Sequence, residues 1–291
     1  MPYAAIGAVL SAEAIIPTFG FIESTDKTVL WEEKSWVSMR DRLRIICKNG
    51  GNEEEAKNLA QRLEIPLDGS NAKPASDQLV LYFEESGVSL HCGRMSLKGD
   101  YEKLLPRLRP DKLSKELLLQ AARIRKDKNP SAVDATAGMG EDALLLAASG
   151  FEVTLFESDP VIAALLKDTI RRARLQPRLT EIADRMHLFE QDSIKALPNL
   201  SSMVDIVYLD PMFPARKKSV LVKKKLQLLQ HLEQPCEDEE SLLAAASQAH
   251  PQKIIVKRPP KGPYLAGRKP DYSFMGKAVR FDCLLMRVNE M

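Results

Sequence analysis

The chain has 291 residues, 44% of them hydrophobic, and a formal net charge of +2. That much apolar matter can bury a full α/β core with a smaller second unit, and so small a net charge leaves any nucleic-acid contact to local patches rather than a global field. No apolar stretch is long enough to span a bilayer, and the run from Ala4 to Ile16 contains Glu13 and lacks a basic start, which argues against a secretory signal.

Residues 1–40, with Trp31 and Trp36 among charges, read as a leading extension. The first convincing strand is Leu43–Cys47, followed by a helix over Glu53–Leu63. Strands at Leu79–Phe83 and Val88–Cys92, joined across Glu84 to Gly87, form an expected hairpin. Together these make a small α+β module, placed at 1–110. The larger domain, 111–291, opens on an expected amphipathic helix at Lys112 to Lys126.

Ser131 to Gly150 reads as a short strand ending at Asp134, a turn carrying Gly138 and Gly140, and a helix closed by Gly150. Glycines let the backbone approach a ligand, and the helix N-terminus behind them offers unpaired amides. A second strand, Glu152–Phe156, runs into Glu157-Ser158-Asp159-Pro160, where Rossmann-like folds place the acid that accepts ribose hydroxyls. Gly138 to Ala143 also fits the G-x-G-x-x-A dinucleotide pattern, so a nicotinamide or flavin cofactor is an alternative. Glu141 and Asp142 at the helix start would repel a pyrophosphate, whereas Asp134 suits a cationic aminoacyl ligand; carboxylates are also ordinary partners of a helix N-terminus. A third strand near Met186–Phe189 leads to Asp192 and Ser193, suited to an adenine edge. The acids at 134, 157, 192 and 210 each follow an expected parallel strand, the edge where open α/β sheets bind ligands.

The fourth of these strands, Asp205–Leu209, ends in Asp210-Pro211-Met212-Phe213. An acid, a proline and an aromatic there can clamp a flat base by its exocyclic amine, although Asp-Pro is also a common loop opening. Arg216, Lys217, Lys218, Lys223, Lys224 and Lys225 follow on an expected helix, Lys218 to Leu232, and suit phosphate contacts or a solvated face. Lys257 and Arg258 end a strand at Lys253–Lys257, and Arg268 and Lys269 extend the basic set. Two closing strands, near Tyr272–Met275 and Val279–Met286, complete the sheet as an antiparallel hairpin. Cys47, Cys92, Cys236 and Cys283 form no C-x-x-C pair and the four histidines show no ligand spacing, so no metal site is expected.

The segments Val133-Asp134-Ala135-Thr136-Ala137-Gly138-Met139-Gly140, Glu157 to Leu166, Val207 to Pro214, Lys217 to Lys224 and Val256-Lys257-Arg258-Pro259 together resemble the RsmJ family. The resemblance covers roughly the last two thirds of the chain and is most specific from Tyr208 to Lys224. It implies a cytoplasmic class I methyltransferase that uses S-adenosylmethionine on the exocyclic N2 of a guanine in 16S ribosomal RNA. Carried over residue by residue, its cofactor contacts fall on Glu141, Asp142, Glu157, Ser158, Asp192, Ser193 and Asp210. In that reading Asp210 and the Pro211 carbonyl hold the amine and Phe213 stacks on the base. Upstream, where the family carries a glycine- and arginine-rich stretch, this chain has Leu105 to Ala122 instead. The alternatives are a nicotinamide-dependent oxidoreductase, in which Asp210 to Phe213 is a structural loop, or methyl transfer to a DNA base or a protein amide.

Overall fold

Local sequence explains the first elements directly. The computed structural model describes residues 42–75, 78–124, 130–212 and 238–286. The leading extension, Phe213, and the basic stretch holding Arg216, Lys217, Lys218, Lys223 and Lys224 lie outside these residues. Strand β1 (Leu43–Cys47) leads to helix α1 (Glu53–Leu63), which Asn52 caps by accepting the Glu55 amide at 3.1 Å. Three glutamates fill its first turn, where the helix dipole favours negative charge. Strands β2 (Leu67–Asp68), β3 (Leu79–Glu84), β4 (Gly87–Cys92) and β5 (Met95–Leu97) complete a sheet ordered β2-β1-β3-β4-β5. The expected hairpin is present as β3 and β4, antiparallel from Leu79↔Cys92 to Glu84↔Gly87.

Two short helices, α2 (Pro110–Leu113) and α3 (Leu117–Ala121), stand where a single helix from Lys112 was expected. Glu116 between them is extended, at φ −64° and ψ 125°. Its carboxylate accepts both Arg107 Nε and Nη2 at 2.9 Å, a bidentate pairing that holds the break.

The second sheet begins with β6 (Ser131–Asp134), α4 (Glu141–Ala148), β7 (Glu152–Phe156), α5 (Pro160–Arg174), α6 (Thr180–Asp184) and β8 (Met186–Phe189). It continues through α7 (Ser193–Ala196), β9 (Ile206–Leu209), α8 (Glu239–Gln248), β10 (Lys253–Arg258), β11 (Tyr272–Met275) and β12 (Arg280–Leu285). The strand order is β11-β12-β10-β9-β6-β7-β8. Strands β6 to β10 run parallel, and β12 pairs antiparallel with both β10 and β11. Successive side chains on β9 serve opposite faces, as strand geometry requires. Ile206 and Tyr208 join the core with Leu144, Val153 and Ile170, while Val207 and Leu209 join Leu242, Ile254 and Val256.

The described residues fall in one compact unit containing both sheets. The small sheet meets α5 through buried Asp168, which accepts the Val88 amide at 2.9 Å and Arg172 Nε at 2.7 Å. Arg172 also donates to the Gly99 carbonyl at 2.7 Å. A Cβ on Gly99 would fall 1.9 Å from Thr169 Oγ1, so backbone and helix touch with no room for a side chain.

Candidate active site

The chain reverses its order across the sheet at β6, whose neighbours are β7 on one side and β9 on the other. Ligands of open α/β sheets bind at such a point, outside the carboxyl ends of the strands. The turn after β6 is built for close approach: Gly138 and Gly140 have φ of +52° and +68°, in the left-handed region where glycine bears no Cβ penalty. The Gly138 amide donates to Glu157 Oε2 at 2.9 Å, and the Asp159 amide donates to Glu157 Oε1 at 2.8 Å. Glu157 thereby braces the turn, and an ionised carboxylate keeps further lone pairs for a hydroxyl.

Asp134 is 1% exposed and accepts the Thr136 amide at 3.2 Å, a local turn of the kind aspartate favours. Burial, with the nearby Asp142 charge adding to it, pushes its carboxyl up to about 8. Thr136 then reaches across the sheet, its Oγ1 accepting the Asp210 amide at 2.7 Å. Asp142 Oδ2 accepts the Tyr208 hydroxyl at 2.6 Å and lies 2.6 Å from Lys257 Nζ. The same ammonium is 2.8 Å from Asp210 Oδ2. Burial raises the Asp210 carboxyl, and Lys257 opposes that rise. Pro211, the next residue in the chain, is buried.

Asp192 accepts the Ile194 amide at 2.9 Å and so caps α7, with Ser193 buried beside it and Ser158 exposed at the neighbouring strand end. Glu141 opens α4, partly exposed. The basic pair expected to face RNA is placed differently. Lys257 lies inside the acid cluster, and Arg258, 1% exposed on the opposite face of β10, donates to Glu239 Oε1 at 3.1 Å. The alternation of strand side chains sends the two charges to opposite faces, each engaged by carboxylates within the fold; neither extends a phosphate-binding surface. Arg268 and Lys269 are exposed.

Tyr101 and Thr136 escape sequence reasoning. Tyr101, from a short turn of helix after the small sheet, donates to the Met139 carbonyl at 3.0 Å and packs on Gly140. Nothing local marks it. Thr136, two residues beyond Asp134, carries the aspartate-turn spacing as its one legible signal.

The side-chain groups at this edge are mostly acidic acceptors. Glu157 and Asp192 present carboxylate oxygens suited to a ribose diol and an adenine amine, with Asp134 buried behind the turn, whereas Glu141 and Asp142 at the start of α4 disfavour a pyrophosphate. Parallel strands β6 to β10, closed by the antiparallel β11–β12 hairpin around such a site, define a class I S-adenosylmethionine-dependent methyltransferase. The family described as "Putative SAM-dependent methyltransferase" matches residues 71–286. The chain is 39% identical to the ribosomal RNA small subunit methyltransferase J of Thioalkalivibrio sulfidiphilus, covering 79% of this chain and 92% of that one. It is 38% identical to the protein of the same name from Alkalilimnicola ehrlichii, over 82% of this chain and 94% of that one. A crystal structure of a SAM-dependent methyltransferase from Neisseria gonorrhoeae superposes with a TM-score of 0.64 at 31% identity, covering 83% of this chain and 95% of that one. The chain belongs to the ribosomal RNA small subunit methyltransferase J family, and its cofactor is S-adenosylmethionine.

Proposed function

We propose that the protein methylates the exocyclic N2 of a guanine in small-subunit ribosomal RNA in the cytoplasm. The observation that carries this reading is the placement of Asp210 and Pro211 at the end of β9, beside the glycine turn and the strand-end acids. The relatives named for small-subunit ribosomal RNA support the substrate class. The small sheet and the larger one are read as two modules dividing near residue 110.

When bound, S-adenosylmethionine supplies a methyl group already activated on a sulfonium. The protein's work is therefore largely positioning. Asp134 faces the cationic aminoacyl end, Glu157 and Ser158 the ribose, and Asp192 and Ser193 the adenine, with Glu141 at the start of α4 completing the set. Guanine N2 is a weak nucleophile because its lone pair is delocalised into the ring. Asp210 and the Pro211 carbonyl accept hydrogen bonds from the amine, orient it and stabilise positive charge as it develops there. Phe213, beyond the described residues, stacks on the base, a contact worth about 1 to 3 kcal/mol. Arg216, Lys217, Lys218, Lys223 and Lys224 supply phosphate contacts.

The test is mass spectrometry of 16S ribosomal RNA from a strain lacking the gene, with and without complementation. Loss of one N2-methylguanine, restored by the wild-type gene, is expected; an unchanged inventory rules the target out. Complementation with Phe213→Ala should restore little methylation while the purified variant still binds S-adenosylhomocysteine. A parallel loss of cofactor binding would assign Phe213 to the core instead.

A further inference from the structure

Among the described residues, Lys257 is the lysine that sits between the acids of this site. Its Nζ lies 2.6 Å from Asp142 Oδ2 and 2.8 Å from Asp210 Oδ2, joining the end of β10 to the start of α4 and the end of β9. Each partner is held independently: Asp142 by the Tyr208 hydroxyl at 2.6 Å, and Asp210 through its amide by Thr136 at 2.7 Å. Asp134 faces the same cluster from β6, Glu141 and Arg107 lie near Asp142, and Arg258 follows on β10. A lysine that served RNA phosphates would need its ammonium free in solvent; this one is spent on two carboxylates.

We propose that Lys257 is a positioning residue for methyl transfer, keeping the Asp210 carboxylate ionised and turned so that its second oxygen receives the acceptor amine. This rests on the methyl-transfer reading of the site. Without the ammonium, Asp210 would face the Asp142 carboxylate with no cation between them, and a like charge so close favours protonation. A protonated Asp210 would keep only a neutral carbonyl oxygen as acceptor and lose the charge that opposes the positive charge developing on the nitrogen, so the hydrogen bond that orients the nucleophile would be weakened.

The experiment measures kcat and KM from pH 5 to 9.5 for wild type, Lys257→Met and Lys257→Arg, on 16S ribosomal RNA and 30S subunits from a strain lacking the modification. Binding of S-adenosylhomocysteine is measured alongside. An opposite charge at this range shifts a carboxyl by about 1 to 3 pH units. In Lys257→Met the acidic limb of kcat should move upward by that amount, so that below the limb kcat falls by about 10- to 1,000-fold. KM for RNA should stay within about twofold, and Lys257→Arg should keep the wild-type limb. Lys257→Gln replaces Lys257→Met should that variant not fold. A raised KM for RNA with kcat and its pH profile unchanged would overturn the inference and return Lys257 to phosphate binding. Absence of methylation by the wild type on either substrate would instead overturn the functional reading on which it rests.

Discussion

Gly140→Ala tests the coupling between Tyr101 and the glycine turn after β6. Gly140 holds φ at +68°, where an alanine is strained by about 1 to 2 kcal/mol. The added Cβ would lie 2.4 Å from Tyr101 Oη and 2.7 Å from Leu166 Cδ1, and both side chains are buried. Such overpacking costs about 1 to 3 kcal/mol, so the total is about 2 to 5 kcal/mol. In a domain of this size each kcal/mol shifts Tm by about 2 to 4 °C, and a drop of roughly 4 to 20 °C is expected. If the turn moves to relieve the clash, 1 to 2 kcal/mol must be recovered on binding, and affinity for S-adenosylhomocysteine falls by about 5- to 30-fold. Tyr101→Phe alone removes the hydrogen bond to the Met139 carbonyl, at about 1 to 3 kcal/mol. It also removes the atom nearest the new Cβ. The double variant should therefore be at least about 1 kcal/mol more stable than the sum of the single losses predicts. Urea denaturation of the four proteins measures this, with calorimetric titration for affinity. Strictly additive losses would refute the contact as the cause.

Asp168→Ala should cost about 2 to 4 kcal/mol in urea denaturation, because it leaves the Val88 amide and Arg172 Nε without their acceptor at the junction of the small sheet with α5; a loss under about 1 kcal/mol would show that the junction is held elsewhere. Asp134 has a folded-state pKa of about 8, above its ordinary 3.8, so the stability it contributes is full below 3.8 and is lost as pH rises through 8. Asp134→Asn, measured without ligand, should gain stability relative to wild type between pH 6 and 9, and a pH-independent difference in Tm would contradict the assignment. Glu157→Ala should lower S-adenosylhomocysteine affinity at least about tenfold, since it removes a ribose acceptor and the brace on the Gly138 amide, each worth about 1 kcal/mol or more; unchanged binding in calorimetry would exclude it from the site.

Three strands of the small sheet and its helix were legible because their signals are local, whereas β2 and β5, only two and three residues long, were not. Asn52 with three glutamates opens α1, and the alternation of Leu79 to Phe83 marks β3. The seven-stranded sheet was legible at its strand ends for the same reason: Gly138 and Gly140 must turn, and Asp134, Glu157 and Asp210 each follow an apolar run. The expected helix from Lys112 failed because a contact from Arg107 to Glu116 outweighs the apolar periodicity that suggested it.

The sequence by itself determined the parallel strands, the glycine turn with the helix behind it, and that acids gather at one edge of the sheet, because backbone preference and side-chain period act within a few residues. Only the tertiary structure decided what those charges do. Lys257 and Asp142 are 115 residues apart in the chain and 2.6 Å apart in space. A basic residue at a strand end reads the same whether it meets a phosphate or a carboxylate. Sheet order and the pleat of β10 put Lys257 among the acids and Arg258 on the opposite face, and ion pairing inside the fold then claimed both charges.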